Sequence, residues 1–234
     1  MRRMILTMAA LPLLAVGGTA QAQDAEEEPT GAWEIDGEVS LNTDYRFRGI
    51  SLSDKDPQAT AEVSVSHESG FYAGVWASNV ALNGDADDLE LDLYAGFAPE
   101  VGAVTFDIGA IYYLYPGNSE FDYAELLASA TTSFGPAEFT AGIAYAPSQD
   151  ALGNTDNTYV YVSTDIGIAN TPLSVHGTFG IEDGAFGDNK KDWLIGATYE
   201  IAGGLSATVD YVDTSRAFTS LGDATVVGRL TYSF

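Results

Sequence analysis

Trp33–Gly49 reads WEIDGEVSLNTDYRFRG, and its alternation decides the fold class. The odd positions are Trp33, Ile35, Gly37, Val39, Leu41, Thr43, Tyr45, Phe47 and Gly49. The even positions are Glu34, Asp36, Glu38, Ser40, Asn42, Asp44, Arg46 and Arg48. Successive side chains of a β-strand point to opposite faces, so the run has one apolar face and one wholly polar face. A helix would mix the two sets. Read as a single strand, it also exceeds the usual length of about 5–6 residues.

The same alternation recurs along the chain. Apolar rows run over Ala59–Val65, Phe71–Ala77, Leu89–Phe97, Val104–Tyr112, Ala124–Phe134 and Phe139–Tyr145. They continue over Val160–Ile166, Leu173–Phe179, Trp193–Tyr199, Leu205–Tyr211 and Val226–Phe234. Asp165 fixes the phase of the first of these, with Val160, Val162 and Ile166 outward and Tyr159 and Tyr161 inward. Leu194 and Val227 fall on the polar side, against the pattern. Short turns lie near residues 68, 100, 135, 170 and 203, and longer polar segments at 50–57, 80–88, 115–122, 146–157, 182–191 and 213–223. Twelve strands joined alternately by short and long links predict an all-β fold. The expected form is a transmembrane antiparallel up-and-down β-barrel with short periplasmic turns and longer extracellular loops.

A soluble β-sandwich also alternates, so period alone does not decide. No Asp, Glu, Lys or Arg falls on the apolar face within a strand interior, where Arg or Lys at the bilayer midplane would cost about 2–4 kcal/mol. Aromatics sort by height: Trp33, Phe71, Phe97, Phe134, Phe139, Tyr199 and Phe234 near the short turns. Tyr45, Phe47, Tyr112, Tyr145, Phe179, Trp193 and Tyr211 fall near the long loops. Two girdles around an aliphatic band suit a bilayer. In lipid every backbone polar group must be paired, so the first and last strands must meet. Arg229 is expected either to make an ionic contact with Glu38 or Asp36 across that seam or to stand solvated in the lumen, since exposed pairs contribute little.

Residues 1–22 read as a cleaved signal peptide: Arg2 and Arg3, an apolar run from Met4 to Val16, and an Ala20-Gln21-Ala22 cleavage site. Residues 23–32 are an acidic, disordered lead-in, and 33–234 form the barrel. This predicts export to the outer membrane of a Gram-negative cell. Removing 1–22 takes away two arginines and no acid, so the net charge moves from −25 to −27. Such a charge argues against nucleic acid, which needs a basic surface. Cysteine is absent, and no cofactor is expected. Expected partners are membrane lipids and lipopolysaccharide, small solutes, and the barrel-assembly machinery, through the aromatic Phe234.

Thr43–Ser51 (TDYRFRGIS) and His67–Val80 (HESGFYAGVWASNV), with Leu89–Gly96 (LELDLYAG) and Tyr112–Gly117 (YYLYPG), carry a further signal. The chain resembles the TorF-family porins of proteobacteria in these blocks and over nearly all of its mature length. The resemblance implies an outer-membrane location and a channel role.

The phasing turns Asp36, Glu38, Asp44, Glu62, Glu90, Asp92, Asp107, Glu125, Asp192 and Asp210 inward, together with Arg46, Arg48 and Arg229. These are the candidate pore-lining residues; Glu34, Glu138 and Asp165 share their face. An acid excess repels anions and concentrates cations. The expected function is therefore passive diffusion of small neutral or cationic solutes. The alternative is a closed structural or adhesive barrel, since twelve strands lie between packed and open lumens. Inward Tyr72, Trp76, Tyr94, Tyr113, Tyr159 and Tyr161 either narrow the bore or form a stacking track. Acidic outer segments such as Asp54–Asp56, Asp85–Asp88 and Asp150–Asn157 suit solvation or divalent ions, but lack EF-hand spacing, and no metal ligand is assigned. An outer-membrane hydrolase is a third class. However, His67 falls in a turn and His176 has no serine motif to pair with, so no catalytic residue is assigned.

Overall fold

The computed structural model describes residues 33–82 and 88–234. The expected leader and acidic lead-in lie outside the described residues, as do Asp85 and Asp87 of the second outer segment.

Twelve antiparallel strands close on themselves. They are β1 (Trp33–Asn42), β2 (Gln58–His67), β3 (Phe71–Val80), β4 (Asp88–Phe97), β5 (Val104–Leu114) and β6 (Tyr123–Phe134). The ring continues with β7 (Ala137–Gln149), β8 (Thr155–Gly167), β9 (Leu173–Gly184), β10 (Gly187–Ala202), β11 (Leu205–Ser215) and β12 (Thr225–Ser233). Each strand pairs with its sequence neighbours, and β12 returns to β1 with Glu38 opposite Ser233 and Asn42 opposite Arg229. Gly37 and Phe234 exchange both backbone bonds, at 2.8 and 2.9 Å. The Phe234 ring covers the place where a Gly37 side chain would stand.

The two faces are inverted relative to a soluble core. Ile35, Ile108, Phe134 and Ile195 on the outer face are 73, 66, 82 and 65 % exposed. Ser40, Thr60, Asp92, Glu125, Thr198 and Asp210 on the inner face are buried. Water would penalise so continuous an apolar belt, whereas hydrocarbon accepts it. Closure removes the free edges that would otherwise strand backbone groups in lipid. At the short-turn end, Gly203 and Gly204 have φ +61° and +83°, the left-handed pair that a two-residue hairpin between twisted strands requires.

Three expectations need correction. The first strand ends at Asn42, not Gly49; Thr43 N still donates to Gly228 O at 2.9 Å, after which the chain leaves the wall. The expected loops 146–157 and 182–191 are largely strand, since β7 runs to Gln149 and β9 and β10 are joined at Gly184–Gly187, whereas 213–223 is strand only as far as Ser215. These ends are polar on both faces, so their ladders continue where hydrophobic alternation does not. Arg229 does not pair with Glu38 or Asp36. It donates to Asp210 Oδ2 at 3.1 Å on β11 and to Asn42 Oδ1 at 2.9 Å across the seam.

Candidate functional site

The barrel interior holds the candidate site, and its outer half is filled by the segment after β1. Arg46 pairs with Ser51 and Phe47 with Ile50, making a miniature hairpin that turns at Arg48 (φ +46°) and Gly49 (φ +82°). Any side chain at Gly49 would collide with Thr214 and Asp192 on the opposite wall. Tyr45 and Phe47, expected on the outer girdle, are instead buried inside at 6 and 8 % exposure. Tyr45 lies 5.6 Å from Trp76, and Phe47 lies 6.0 Å from Tyr113, ring centre to ring centre. The segment therefore reaches from the β3–β5 wall to the β10–β11 wall.

Polar contacts fix it there. Asp44 Oδ1 accepts from Ser51 Oγ at 2.6 Å and from Ser53 Oγ at 3.2 Å, while Arg46 Nε donates to Asp44 Oδ2 at 2.6 Å. Arg46 Nη1 also donates to Leu221 O at 2.7 Å, tying the segment to the β11–β12 connection. Arg48 forms the central clamp. Its guanidinium meets Glu125 of β6 at 2.9 and 2.6 Å and Glu182 of β9 at 2.9 Å, between the rings of Phe47 and Tyr159. Burial works against that charge. The two carboxylates outweigh it and hold the Arg48 pKa well above its ordinary value. Lys190 pairs with Glu182 at 2.5 Å and donates to Arg48 O at 2.7 Å.

Asp44, Arg46 and Arg48 are thus interior residues, yet they reach the interior on a folded-in ribbon and not from the wall as expected. Of the other expected residues, Glu90, Asp92, Glu125, Asp192, Asp210 and Arg229 are buried inside the barrel. Glu38, Glu62 and Asp107 are half-buried toward the short-turn end, and Asp36 is exposed at the rim. Glu182 and Lys190 were missed, because both lie in segments expected to be loops. The short-turn half is the more open one, with Glu138 and Asp165 also half-exposed.

Several inward tyrosines lie along the wall instead of across the bore. Tyr72 covers Gly96 and Tyr94 covers Gly74, while Tyr161 covers Gly142 and Tyr159 covers Gly180. Their hydroxyls reach acids: Tyr72 donates to Asp107 at 2.7 Å, Tyr159 to Asp192 at 3.0 Å, and Tyr94 to Glu62. Beneath the ribbon, Asn42, Asp44, Tyr45, Arg46, Gln58, Trp76, Asp210 and Arg229 line a cavity of about 30 Å³. That volume suits a few waters. His176 Nε2 lies 2.7 Å from Asp210 Oδ1, and Asp210 also holds Arg229, so its ring sits in an ion-pair network and not against a serine. Among the described residues, no three His, Cys, Asp or Glu side chains converge as metal ligands.

Comparisons with known proteins place the fold. A family model described as "Bacterial protein of unknown function (Gcw_chp)" matches residues 26–234. No curated protein matches the sequence. Among solved structures, a KdgM porin aligns with a TM-score of 0.59 at 6 % identity, covering 87 % of this chain and 98 % of that one. The KdgM porin in complex with disordered oligogalacturonate aligns with a TM-score of 0.59 at 7 % identity, over 87 % and 98 % of the two chains. A NanC porin aligns with a TM-score of 0.56 at 11 % identity, over 86 % and 99 %. At these identities the likeness is one of fold.

Proposed function

From a chain that belongs to the Gcw_chp family of bacterial proteins of unknown function, we propose an outer-membrane, porin-like channel for small neutral or cationic solutes. The observation that carries the reading is the inverted barrel: apolar outside, with acids within that outnumber the four interior bases Arg46, Arg48, Lys190 and Arg229. An excess of fixed negative charge in a narrow, low-dielectric bore raises the local cation concentration and repels anions. The barrel likeness to KdgM and NanC supports the porin class and an outer-membrane location. It does not carry their solutes, since a polyanion such as the oligogalacturonate bound to KdgM would meet carboxylates here.

Asp36, Glu38, Glu62 and Asp107 form the entry from the short-turn end, and the ribbon Thr43–Pro57 forms the constriction at the other. The TorF-family likeness, export by the signal peptide, contact with lipopolysaccharide and delivery through Phe234 belong to the same proposal. A second reading, a closed structural barrel, is favoured by one observation: the Arg48 clamp ties the ribbon that leaves β1 to Glu125 of β6 and Glu182 of β9 inside the bore. Catalysis has no support from the His176 surroundings.

Swelling of liposomes carrying refolded protein separates these readings. Sugars and small amines should enter faster than carboxylates of equal size. Swelling no faster than protein-free liposomes for every solute would favour the closed barrel, and release of fatty acids would point to a hydrolase.

A further inference from the structure

Glu90 and Asp92 stand two residues apart on the inner face of β4, 1 and 0 % exposed. Glu90 Oε1 accepts from the Tyr115 hydroxyl at 2.6 Å. Both Asp92 oxygens have no hydrogen-bond partner among the described residues. The Tyr45 hydroxyl stands beside Glu90 and acts on it as a hydrogen-bond partner. The neighbours that act electrostatically on Asp92 are themselves carboxylates: Glu90, Glu125 and Glu62.

Every base of the mature chain is engaged or placed elsewhere. Arg46 holds Asp44, Arg48 holds Glu125 and Glu182, Lys190 holds Glu182, and Arg229 holds Asp210. Lys55 faces Asp223 at 4.0 Å, and Lys191 and Arg216 are exposed. Beyond the described residues the sequence has only Arg2 and Arg3, both in the leader. No side chain can therefore neutralise Glu90 and Asp92, although burying unpaired carboxylates is costly.

We propose that Glu90 and Asp92 bind one divalent hard cation of the calcium class beneath the Tyr45–Phe47 ribbon. Hard cations take oxygen ligands, and this site offers two carboxylates with the Tyr45 and Tyr115 hydroxyls nearby. A proton would cancel one charge and bring one donor to the two unserved Asp92 oxygens. A divalent ion cancels both charges and serves Asp92 as well as Glu90. Since Tyr45 belongs to the ribbon, the ion also ties the ribbon to β4.

Terbium luminescence tests this without reference to permeation. Trp76 lies directly opposite Asp92 in the β3–β4 ladder and is placed to sensitise a bound lanthanide. Refolded protein in detergent should give saturable terbium emission on tryptophan excitation, displaced by calcium. Emission should fall at least about tenfold in Asp92→Asn and Glu90→Gln. In Trp76→Phe emission should fall, while calcium still raises the thermal midpoint. Heat-modifiable gel mobility verifies folding; if Asp92→Asn does not fold, Glu90→Gln decides. Absence of terbium emission and of any calcium shift in the wild type overturns the proposal. So does emission that survives in the folded carboxylate variants.

Discussion

Arg48→Gln removes the clamp that ties the ribbon inside the bore, and its effect can be worked from the contacts. The wild-type guanidinium makes three charge-assisted bonds, at 2.9 and 2.6 Å to Glu125 and 2.9 Å to Glu182, all buried. Removing one member of a buried ion pair costs about 3–5 kcal/mol, because the remaining charge is left uncompensated. Lys190 still serves Glu182, whereas Glu125 keeps only the Tyr113 hydroxyl at 3.0 Å. The lower end, about 3 kcal/mol, is therefore expected. The loss falls on the state with the ribbon folded in, since Glu125 and Glu182 can regain water once the ribbon leaves. At 1.4 kcal/mol per decade, the equilibrium should shift toward the released state by about a hundredfold. Single-channel recording in planar bilayers reads this as a higher open probability or a larger conductance, and Arg48→Lys should lie between. Current histograms that coincide for wild type and Arg48→Gln would refute the assignment of the ribbon as the constriction.

The remaining expectations concern the wall, the bore and the seam. Leu93→Arg, in the middle of the exposed face of β4, should destabilise the barrel in vesicles by about 2–4 kcal/mol. Urea titration against Leu93→Thr measures it. Gly96→Val would push Tyr72 off the wall; overpacking of this kind costs about 1–3 kcal/mol, and the displaced ring should lower single-channel conductance. Arg229→Met leaves Asp210 with His176 as its remaining partner and should cost about 3 kcal/mol or more in the same titration, whereas Lys191→Met on the outer face should cost little. Neutralising Asp36, Glu38 and Glu62 together should reduce cation preference without disturbing the Asp44–Arg46 pair that fixes the ribbon.

Closure, strand number and the sidedness of the wall were legible in the sequence, because lipid and water impose opposite demands on alternate residues. Even the two exceptions make sense: Val227 is buried and Leu194 half-buried, where both line the small cavity under the ribbon. What could not be read is which alternating residues belong to the wall. Thr43–Ser51 keeps period two because a small hairpin is itself extended, so Tyr45 and Phe47 look like a girdle while packing inside. The available signal was Arg48-Gly49, a glycine-containing pair suited to a two-residue turn, followed by a second polar–apolar alternation. Partner choice was equally hidden. Arg229 has acids within reach on either neighbouring strand, and only the register sets Thr208 beside it and brings Asp210 into range. Glu182 and Lys190 were passed over because strand ends beyond the bilayer lose their hydrophobic face.

The most direct measurement is the reversal potential of single refolded channels under a potassium chloride gradient. An interior dominated by carboxylates should pull the reversal potential toward the potassium equilibrium value, and more strongly at low salt, where screening is weak. A reversal potential on the chloride side, or no current across many verified insertions, would contradict the account.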